Sequence, residues 1–442
     1  MAKGKKKESL TPEERLQAAL VPESEQPYPV PANWCWTRIG DILRLQAGKN
    51  ISASKISKNR SQEASFPCFG GNGVRGYVER YNHDGEFPII GRQGALCGNV
   101  NWASGKFYAT EHAVVVECSS IISKRWAYRI LFSMNLNQYA TATAQPGLSV
   151  AVINQVPIAL PPAQEQQRIA DRIESLFAKL DEAKQKAQDA LDSFETRKAA
   201  ILHKAFTGEL TAQWRKEHGV GIESWEKANL GKYVDSQYGY TESASQEQVG
   251  PKFLRITDIQ DGVVNWANVP FCKISDTDFE RYAVSQNDIM IARTGATTGK
   301  SYLIVDDVTA VFASYLIRIK IKSPKLQPQY LYGFMQSQMY WGQITEFSAG
   351  IAQPGVNAKK LKEIILPIPF VPEQVEIVRI IDALLAKEQQ AKEAAEGVLE
   401  QIDLIKKSIL ARAFRGELGT NDPNEESAVE LVKRVIERGE QA

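Results

Sequence analysis

The chain has no long hydrophobic run. Its 442 residues are 43% hydrophobic and 24% charged, and no apolar stretch approaches the length of about 20 residues that a membrane-spanning helix needs. The lysine-rich segment Met1–Lys7 is not followed by the apolar region of a signal peptide. We therefore expect a cytoplasmic protein with enough apolar residues for at least two ordinary hydrophobic cores.

Cysteine and histidine are scarce, and their positions argue against several kinds of site. The cysteines are odd in number and none forms a Cys-x-x-Cys pair, so buried reduced thiols are a better interpretation than disulfides or a metal site. All histidines precede residue 219, which excludes a histidine-dependent catalytic site in the second half of the chain. These residues are Cys35, Cys68, Cys97, Cys118, Cys272, His83, His112, His203 and His218.

Recognisable catalytic motifs are also missing. The sequence contains no HEXXH or GxSxG motif, and no Asn/Asp-Pro-Pro-aromatic signature of the kind that amino-methyltransferases use on a flipped base. The segment Gly295–Ser301 is similar to a phosphate-binding loop, but a P-loop has four residues between its glycines and here there are three. The net charge of +1 neither indicates nor excludes binding to nucleic acid.

What the sequence does contain is a long internal repeat. Several motifs recur 208 positions further along, with no change of offset through two predicted helices. Self-similarity on this scale indicates a duplicated domain and not a solenoid of short units. The recurring motifs are Gln145-Pro146-Gly147 at 353–355, Glu165-Gln166 at 373–374, and Ala205–Leu210 at 413–418.

Two segments carry a heptad pattern that predicts long helices. Apolar residues alternate at spacings of four and three along each segment, and each seam has one charged exception, Arg197 in the first and Glu388 in the second. Such a pattern favours a coiled coil, although packing of each helix on its own domain remains the alternative. The connector between the first helix and the second domain could barely span the length of a helix even when fully extended, so we expect the helix pair to be antiparallel.

The fold class expected from these patterns is α+β. Short apolar runs between Gly/Asn-rich turns predict two globular domains with curved sheets, separated by two long helices that form an antiparallel coiled coil with internal pseudo-two-fold symmetry. The predicted order is a lead segment and linker (1–30), the first domain (31–162), the first helix (163–210), a connector (211–224), the second domain (225–370), the second helix (371–418) and a tail (419–442).

Each domain also has basic residues among polar and aromatic ones. Arg and Lys can neutralise phosphates, and Arg, Asn and Gln can read base edges. The alternative is that these are ordinary solvated side chains, and the glycines around Asn72 fit either a close approach to a ligand or tight turns. The candidates for DNA contact are Lys55, Lys58, Arg60, Asn72, Arg75, Arg92 and Gln145 in the first domain and Tyr238, Tyr240, Arg255, Arg293, Arg318, Lys320 and Gln353 in the second.

The chain resembles the DNA-specificity subunit of type I restriction-modification systems over nearly its whole length. The resemblance rests on two divergent domains that alternate with two similar helices, and on a set of short motifs. These motifs are Gly-Asn-Gly-Val-Arg-Gly-Tyr at 71–77, Leu-Arg-Ile-Thr-Asp-Ile at 254–259, Arg-x-Gly-Ala at 92 and 293, Pro162 and Pro372 before Glu-Gln at 165 and 373, and Phe-x-Gly-Glu-Leu at 206 and 414.

The resemblance implies a non-catalytic subunit. Each domain would be a target recognition domain that reads one half of a bipartite site in double-stranded DNA, and the helices would set the spacer and dock two methyltransferase subunits. Motor-nuclease subunits would join the full complex, and S-adenosylmethionine, ATP and Mg²⁺ would belong to those partners and not to this chain. The residues implied in partner docking are Phe206, Glu209, Leu210, Phe414, Glu417 and Leu418.

Two other functions remain open at this point. A two-headed DNA-binding regulator would use the same domains without a methyltransferase, and a coiled-coil interaction protein would have no role on DNA. The segment Lys3–Lys7 is either an arm that touches phosphates or a solubilising tail.

Overall fold

A computed structural model describes residues 11–141, 146–260, 262–348 and 355–437. The chain divides into two compact units. Unit 1 consists of the described residues up to Lys186 together with those from Val398 onward, and unit 2 is the continuous stretch Ala187–Gly397. Unit 1 is therefore assembled from chain that precedes and chain that follows unit 2.

The helices within the globular parts are short, and the helices that follow each globular part in the sequence are long. One break, at Ser193, divides the first long helix, whereas the second runs unbroken for 43 residues. The helices are α1 (Pro12–Ala19), α2 (Ile39–Ile42), α3 (Lys124–Ser133), α4 (Val150–Asn154), α5 (Ala163–Asp192), α6 (Phe194–Phe206), α7 (Ala212–Glu217), α8 (Asp276–Tyr282), α9 (Pro328–Met335), α10 (Gln338–Ser348), α11 (Ala358–Glu363), α12 (Val371–Ala413) and α13 (Ala428–Glu437).

The strands are short and fall in two sets, one in each unit. In unit 1 they are β1 (Cys35–Arg38), β2 (Leu43–Ala47), β3 (Phe66–Gly70), β4 (Gly73–Val78), β5 (His83–Asp84), β6 (Phe87–Gly91), β7 (Val100–Ala103), β8 (Lys106–Ala109), β9 (Ala113–Cys118) and β10 (Pro157–Leu160). In unit 2 they are β11 (Glu226–Asn229), β12 (Val234–Tyr238), β13 (Lys252–Leu254), β14 (Ile259–Gln260), β15 (Val263–Val264), β16 (Ile289–Ala292), β17 (Ser301–Leu303), β18 (Ala310–Phe312), β19 (Leu316–Ile321) and β20 (Ile365–Ile368).

Each unit is organised around a four-stranded antiparallel sheet. The strand order is β2-β9-β6-β7 in unit 1 and β12-β19-β16-β17 in unit 2. The inner strand β9 begins Ala-Val-Val-Val and is buried on both faces, which suits β-branched side chains. The two sheets have the same order, so the duplication predicted from the sequence is confirmed at the level of topology.

Unit 1 has a second four-stranded sheet, and two-stranded sheets complete each unit. In unit 1, β4-β3-β8-β5 form a second sheet in which β3 and β8 are parallel, and β1 pairs with β10. In unit 2, β11 pairs with β20, and the remaining strands form the pairs β13-β18 and β14-β15. The pairs β1-β10 and β11-β20 bring the first and last strands of each globular part together.

The two long helices pair in an antiparallel sense within each unit. In unit 1, Lys406 of α12 lies 2.5 Å from the Asp181 carboxylate of α5. In unit 2, Nε of Arg197 donates to Oε2 of Glu388 over 2.7 Å. From Asp181 to Arg197 the first helix advances while its partners in the second go back from Lys406 to Glu388, so the predicted antiparallel pairing is confirmed. The two charged exceptions in the heptad seams are each other's partners.

The five cysteines are free, and four of them are buried. Burial raises the pKa of the Cys35 and Cys118 thiols to about 12 and the pKa of the Cys68 and Cys272 thiols to about 11. The thiols with raised pKa values, those of Cys35, Cys68, Cys118 and Cys272, are therefore protonated at neutral pH. None of the helices in the described ranges is both long and apolar enough to cross a bilayer.

Candidate nucleic-acid interface

Three segments of unit 1 meet at the end of the β2-β9-β6-β7 sheet where β6 ends and β9 begins. We call this place the sheet edge. The first is the Arg-x-Gly-Ala loop after β6, the second is the loop at Pro146–Leu148, and the third is His112 immediately before β9. The Arg92 N–H donates to the His112 carbonyl over 3.0 Å, and the Leu148 N–H donates to the Arg92 carbonyl over 2.8 Å. A third bond, from the Gly94 N–H to the Pro146 carbonyl over 3.0 Å, ties the two loops together.

Unit 2 has the same backbone framework at the corresponding edge. The Arg293 N–H donates to the Tyr315 carbonyl over 3.1 Å, and the Val356 N–H donates to the Arg293 carbonyl over 2.9 Å. An antiparallel bridge joins Thr294 to Gly355. Arg92 and Arg293 therefore occupy equivalent places, as the sequence motif predicted.

Glycine is required at the turn that closes each Arg-x-Gly-Ala loop. Gly98 and Gly299 both have φ of +88°, and each donates its N–H back to the end of the preceding strand. A Cβ at Gly98 would lie 2.4 Å from the backbone nitrogen of Asn137. The spacing that is similar to a P-loop in the second copy is thus a turn between β16 and β17, with the same geometry as in the first copy.

Beside this edge, unit 1 has an open cavity of about 390 Å³. Exposed Asn72 and Arg75, both predicted DNA contacts, line it together with Gln93 and His112. Its remaining lining residues are Gly71, Gly94, Ala95 and Leu96.

The predicted basic loop of unit 1 lies next to strand β4. Ser57 and Tyr77 exchange two backbone hydrogen bonds of 2.9 and 2.8 Å, which places the exposed side chains of Lys55, Lys58 and Arg60 alongside the strand that carries Arg75. The structure therefore places the predicted basic loop beside β4, the strand that carries Arg75 of the cavity.

Several polar atoms at the edge of unit 1 lack a partner. Arg92 Nε, Glu111 Oε2 and His112 Nδ1 are buried and accept or donate no hydrogen bond within the described residues. The His112 Nε2 lies 3.2 Å from Glu111 Oε1. An unsatisfied buried polar group costs about 1–3 kcal/mol, so such a cluster is expected where a ligand or ordered water completes the site.

The equivalent edge of unit 2 is aromatic. The Arg293 guanidinium lies 4.8 Å from the centre of the Tyr238 ring, and its Nη1 donates to the Ser314 carbonyl over 3.4 Å. Tyr240 is half-buried and bonds through its backbone to Ser314, and Tyr315 is 63% exposed. Here Tyr238, Tyr240 and Arg293, all predicted contacts, come together around residues 314 and 315.

Arg318, another predicted DNA contact, is buried inside unit 2. It is only 9% exposed and its Nη1 donates to the Ala283 carbonyl over 2.5 Å and lies 3.5 Å from the Asp288 carboxylate. Burial raises the pKa of the Asp288 carboxyl, and Arg318 opposes that effect. Arg318 is therefore an internal structural cation in the free chain, and its contact with DNA stays a prediction that its burial does not support.

Two other predicted residues of the second domain, Arg255 and Lys320, are not among the side chains shown to contact one another at the aromatic edge. Arg255 is held by Asp258, whose carboxylate accepts from its Nη2 over 2.7 Å and raises the pKa of the guanidinium. Lys320 is exposed, but it lies five residues along β19 from Tyr315, about 17 Å away in an extended strand. Gln145 and Gln353 lie outside the described residues.

The repeated Glu-Gln motifs have a structural role that the sequence did not reveal. Glu165 and Glu373 are fully buried at the starts of α5 and α12. Glu165 accepts from the Trp34 indole over 2.7 Å and from the Thr420 hydroxyl over 3.1 Å. The carboxylate thus joins the beginning of the domain, the beginning of one long helix and the segment that follows the other.

Glu373 makes the same connections in unit 2. It accepts from the Trp225 indole over 2.9 Å and from the Thr211 hydroxyl over 2.7 Å. Arg215 adds an ion pair of 2.6 Å, and both members of this pair are buried. The signal in the sequence was that a Trp and a Glu recur in both copies, but the sequence did not show which segments meet at the carboxylate.

The predicted partner-docking residues divide into two groups. Phe206 and Phe414 are buried in the cores of units 2 and 1, and Phe206 packs edge-on against Tyr330 and Phe334 at 5.4 Å. Their role as direct partner contacts stays a prediction that this burial does not support. Glu209 and Glu417 are exposed and Leu210 and Leu418 are half-buried, so these four residues are accessible to a partner.

No group of three His, Cys, Asp or Glu side chains within the described ranges is arranged to hold a metal ion. The edges instead offer guanidinium, amide, imidazole and aromatic groups on rigid backbone. Such groups can bind phosphates and the edges and faces of bases.

Comparison with known proteins identifies the family. A family model described as Type I restriction modification DNA specificity domain matches residues 31–191 and 223–397. Over 132 residues the chain is 50% identical to the Type I restriction enzyme EcoprrI specificity subunit of Escherichia coli, a match to 30% of this chain and 33% of that protein. It is 26% identical over 348 residues to the EcoBI specificity subunit of Escherichia coli, covering 75% of this chain and 73% of that protein.

A solved structure shows the same fold. The crystal structure of the HsdS subunit from Thermoanaerobacter tengcongensis aligns with a TM-score of 0.60 at 17% identity, over 89% of this chain and 100% of that one. The family model covers both copies of the repeat, each including one of the sheet edges described above. The chain therefore belongs to the family of type I restriction modification DNA specificity domains.

Proposed function

We propose that this chain is the DNA sequence-recognition subunit of a type I restriction-modification complex, and that each unit reads one half of a bipartite site. The observation that carries the proposal is the pair of equivalent sheet edges. Both have the Arg-x-Gly-Ala loop on the same backbone framework, but the side chains around the two arginines differ. Two units that share one backbone framework but present different side chains suit a DNA site with two different halves.

The chemistry of the edges supports duplex DNA as the ligand. In unit 1, Asn72, Gln93 and Arg75 present amide and guanidinium groups that match base edges in a major groove. The neighbouring loop with Lys55, Lys58 and Arg60 has no acidic partner among the described residues and suits phosphate contact, which positions a protein without reading sequence.

The paired helices are the proposed site for methyltransferase subunits. Three apolar side chains of α12 in unit 1 are exposed: Val398, Leu404 and Ile405, with Leu404 at 65%. Exposed apolar groups on a helix that already pairs along another face are typical of a further protein interface. We include Glu209, Leu210, Glu417 and Leu418, at the ends of the helices, in this docking surface.

The chain itself is non-catalytic, and its expected cofactors belong to its partners. S-adenosylmethionine would bind the adenine-N6 methyltransferase subunits, and ATP and Mg²⁺ the motor-nuclease subunits. We also propose that the chain is located in the cytoplasm, where the DNA is. The predicted domain boundaries, 31–162 and 225–370, define the two segments we propose as exchangeable readers.

The experiment is to co-express the chain with its methyltransferase and map methylated adenines across the host genome by direct sequencing. A split motif with a fixed gap is the expected result. Replacement of residues 34–160 by a related domain should then change one half of the motif and leave the other half and the gap intact.

Two results would contradict the proposal. A contiguous motif, or a change in both halves after replacement of one domain, would mean that the units do not read separately. No methylation, together with tight and specific DNA binding by the chain alone, would favour a regulator that works without a methyltransferase.

A further inference from the structure

We propose that His112 and Tyr315 are specificity-determining residues, one for each half of the DNA site. The inference rests on the proposed function, because it assigns base reading to particular side chains of the two units. The ligand in each case is the edge of a base pair exposed in the major groove of duplex DNA.

The two residues occupy the same place in the fold. Each directly precedes the inner strand of its four-stranded sheet, β9 in unit 1 and β19 in unit 2. Each accepts, through its backbone carbonyl, the N–H of the arginine in the Arg-x-Gly-Ala loop, at 3.0 Å for His112 and 3.1 Å for Tyr315. The equivalence is thus set by backbone hydrogen bonds and does not depend on aligning dissimilar sequences.

The backbone around this place is closely packed and hydrogen-bonded in both units. The N–H groups of Gly48 and Gly239 donate to the first residue of the inner strand, over 2.9 and 3.2 Å. A Cβ at Gly48 would lie 2.3 Å from the Ala109 carbonyl oxygen, and one at Gly239 would lie 2.2 Å from that of Ala313. Such close backbone contacts fix the two residues in position before any ligand binds, which favours precise recognition.

Most of this framework is the same in both copies, but position 112/315 is not. Arginine, glycine and alanine recur in the loop, and glycine recurs at Gly48/Gly239 and Gly98/Gly299. Against this constant frame, the imidazole of His112 in one unit is replaced by the phenol of Tyr315 in the other. Because both side chains stand at the same place on a shared backbone framework, the change from imidazole to phenol is one place where a difference in base reading is expected to originate.

Both side chains have unused binding capacity. His112 is half-buried and lines the 390 Å³ cavity together with Asn72, Arg75 and Gln93. Its buried Nδ1 has no hydrogen-bond partner within the described residues, and its Nε2 lies 3.2 Å from Glu111 Oε1. Tyr315 is 63% exposed and its hydroxyl has no partner in the described part of the chain. An imidazole can donate to or accept from a base edge, whereas a phenol offers a hydroxyl and an apolar ring that suits the thymine methyl group.

The test is to exchange the two side chains one at a time. His112→Tyr and Tyr315→His are each co-expressed with the methyltransferase, and the methylated motif is mapped by genome sequencing. We expect His112→Tyr to change base preference in one half-site by roughly tenfold and to leave the other half unchanged, and Tyr315→His to affect only the opposite half.

Matched controls come from the far ends of the same sheets. Glu117→Gln in β9 alters a surface ion pair with Arg44, and Asp235→Asn in β12 alters one with Lys322. Both pairs lie about 17 Å or more from the sheet edges that carry His112 and Tyr315. We expect both controls to methylate the wild-type motif at the wild-type rate. Co-purification with the methyltransferase and thermal unfolding verify that every variant is folded and assembled.

The outcomes separate this inference from the function on which it rests. If the wild type gives no split motif, the proposed function fails. If the wild type gives a split motif but both exchanges leave every base preference unchanged, or if a single exchange alters both halves, then His112 and Tyr315 do not determine specificity and the inference is overturned alone.

Discussion

The indole N–H of Trp34 donates to the Glu165 carboxylate over 2.7 Å, and residue 34 begins the globular part of unit 1 while residue 165 begins its long helix. The same relationship recurs in unit 2 between Trp225 and Glu373. A buried carboxylate with several charge-assisted hydrogen bonds fixes the direction in which each helix leaves its domain.

Replacing Glu373 by Gln should destabilise unit 2 strongly. The substitution leaves the buried Arg215 guanidinium without its anion, and breaking a buried pair costs about 3–5 kcal/mol. Glu165→Gln should cost less, because Arg168 next to it is paired with Glu425 at 2.6 Å and keeps that partner. Urea unfolding of the two variants measures the difference.

Glu376→Gln is the matched control on the same helix. Its partner Arg379 is largely exposed, so the loss should be below about 1 kcal/mol. Equal stability of the Glu373→Gln and Glu376→Gln variants would show that the buried carboxylate does not hold unit 2 together.

Phe206→Ala should lower stability by about 3–5 kcal/mol, since it leaves a cavity beside Tyr330 and Phe334. Binding to the methyltransferase should survive at temperatures where the variant remains folded. Thermal unfolding followed by pull-down at low temperature measures the two effects separately.

The exposed neighbour Glu209 provides the opposite case. Glu209→Lys should leave stability almost unchanged and weaken methyltransferase binding, because its side chain reaches solvent. If Phe206→Ala abolishes binding while folded and Glu209→Lys has no effect, then the proposed docking surface is wrong.

Arg318→Ala and Arg293→Ala should separate folding from DNA recognition. Removing Arg318 leaves Asp288 buried without its cation, so we expect a loss of stability of about 3–5 kcal/mol with the motif unchanged in the folded protein. Removing half-buried Arg293 should have little effect on stability and should abolish or relax reading of one half-site. Thermal unfolding and methylome mapping on both variants decide the matter, and an altered motif in Arg318→Ala would contradict the structural role.

Shortening the paired helices should shorten the gap in the recognised motif. Residues 178–184 and 403–409 face each other around the Asp181–Lys406 contact, so their joint deletion removes one heptad from each helix. The loss of about 10.5 Å of helix corresponds to about 3 base pairs. Motif mapping of the deletion variant measures the gap.

Deletion of residues 178–184 alone serves as the control. It shifts the remaining contacts of α5 out of register with α12 and should abolish assembly instead of changing the gap. A functional double deletion with an unchanged gap would mean that the helices do not set the spacer.

Part of this organisation was accessible from the sequence because it is periodic. The constant offset of 208 residues predicted two similar units, and the heptads predicted paired helices. Arg197 and Glu388 are opposite charges that interrupt the two seams, and their ion pair of 2.7 Å follows from an antiparallel arrangement. Local and periodic signals of this kind survive in a single sequence.

The contacts that were missed depend on distant parts of the chain. Glu165 receives hydrogen bonds from Trp34, which lies 131 positions earlier in the chain, and from Asn421, which lies 256 positions later. No local sequence pattern encodes contacts over such separations. Phe206 and Phe414 end amphipathic helices, and the sequence does not say which surface covers an apolar ring. Arg318 alternates with buried isoleucines along β19, and only the position of Asp288 shows that its charge is neutralised inside the unit.

Because unit 1 is built from residues before 187 and after 397, its core cannot be completed until late in translation. Unit 2 is contiguous and is free to fold as soon as it leaves the ribosome. At about 5–20 residues per second, the apolar face of α5 that carries Ile169 and Ile173 waits about 12–48 s for Leu410 and Phe414 to emerge. The nascent chain is therefore most vulnerable to aggregation and proteolysis during that interval, and a premature stop codon within α12 would leave the first half of the protein permanently unfinished.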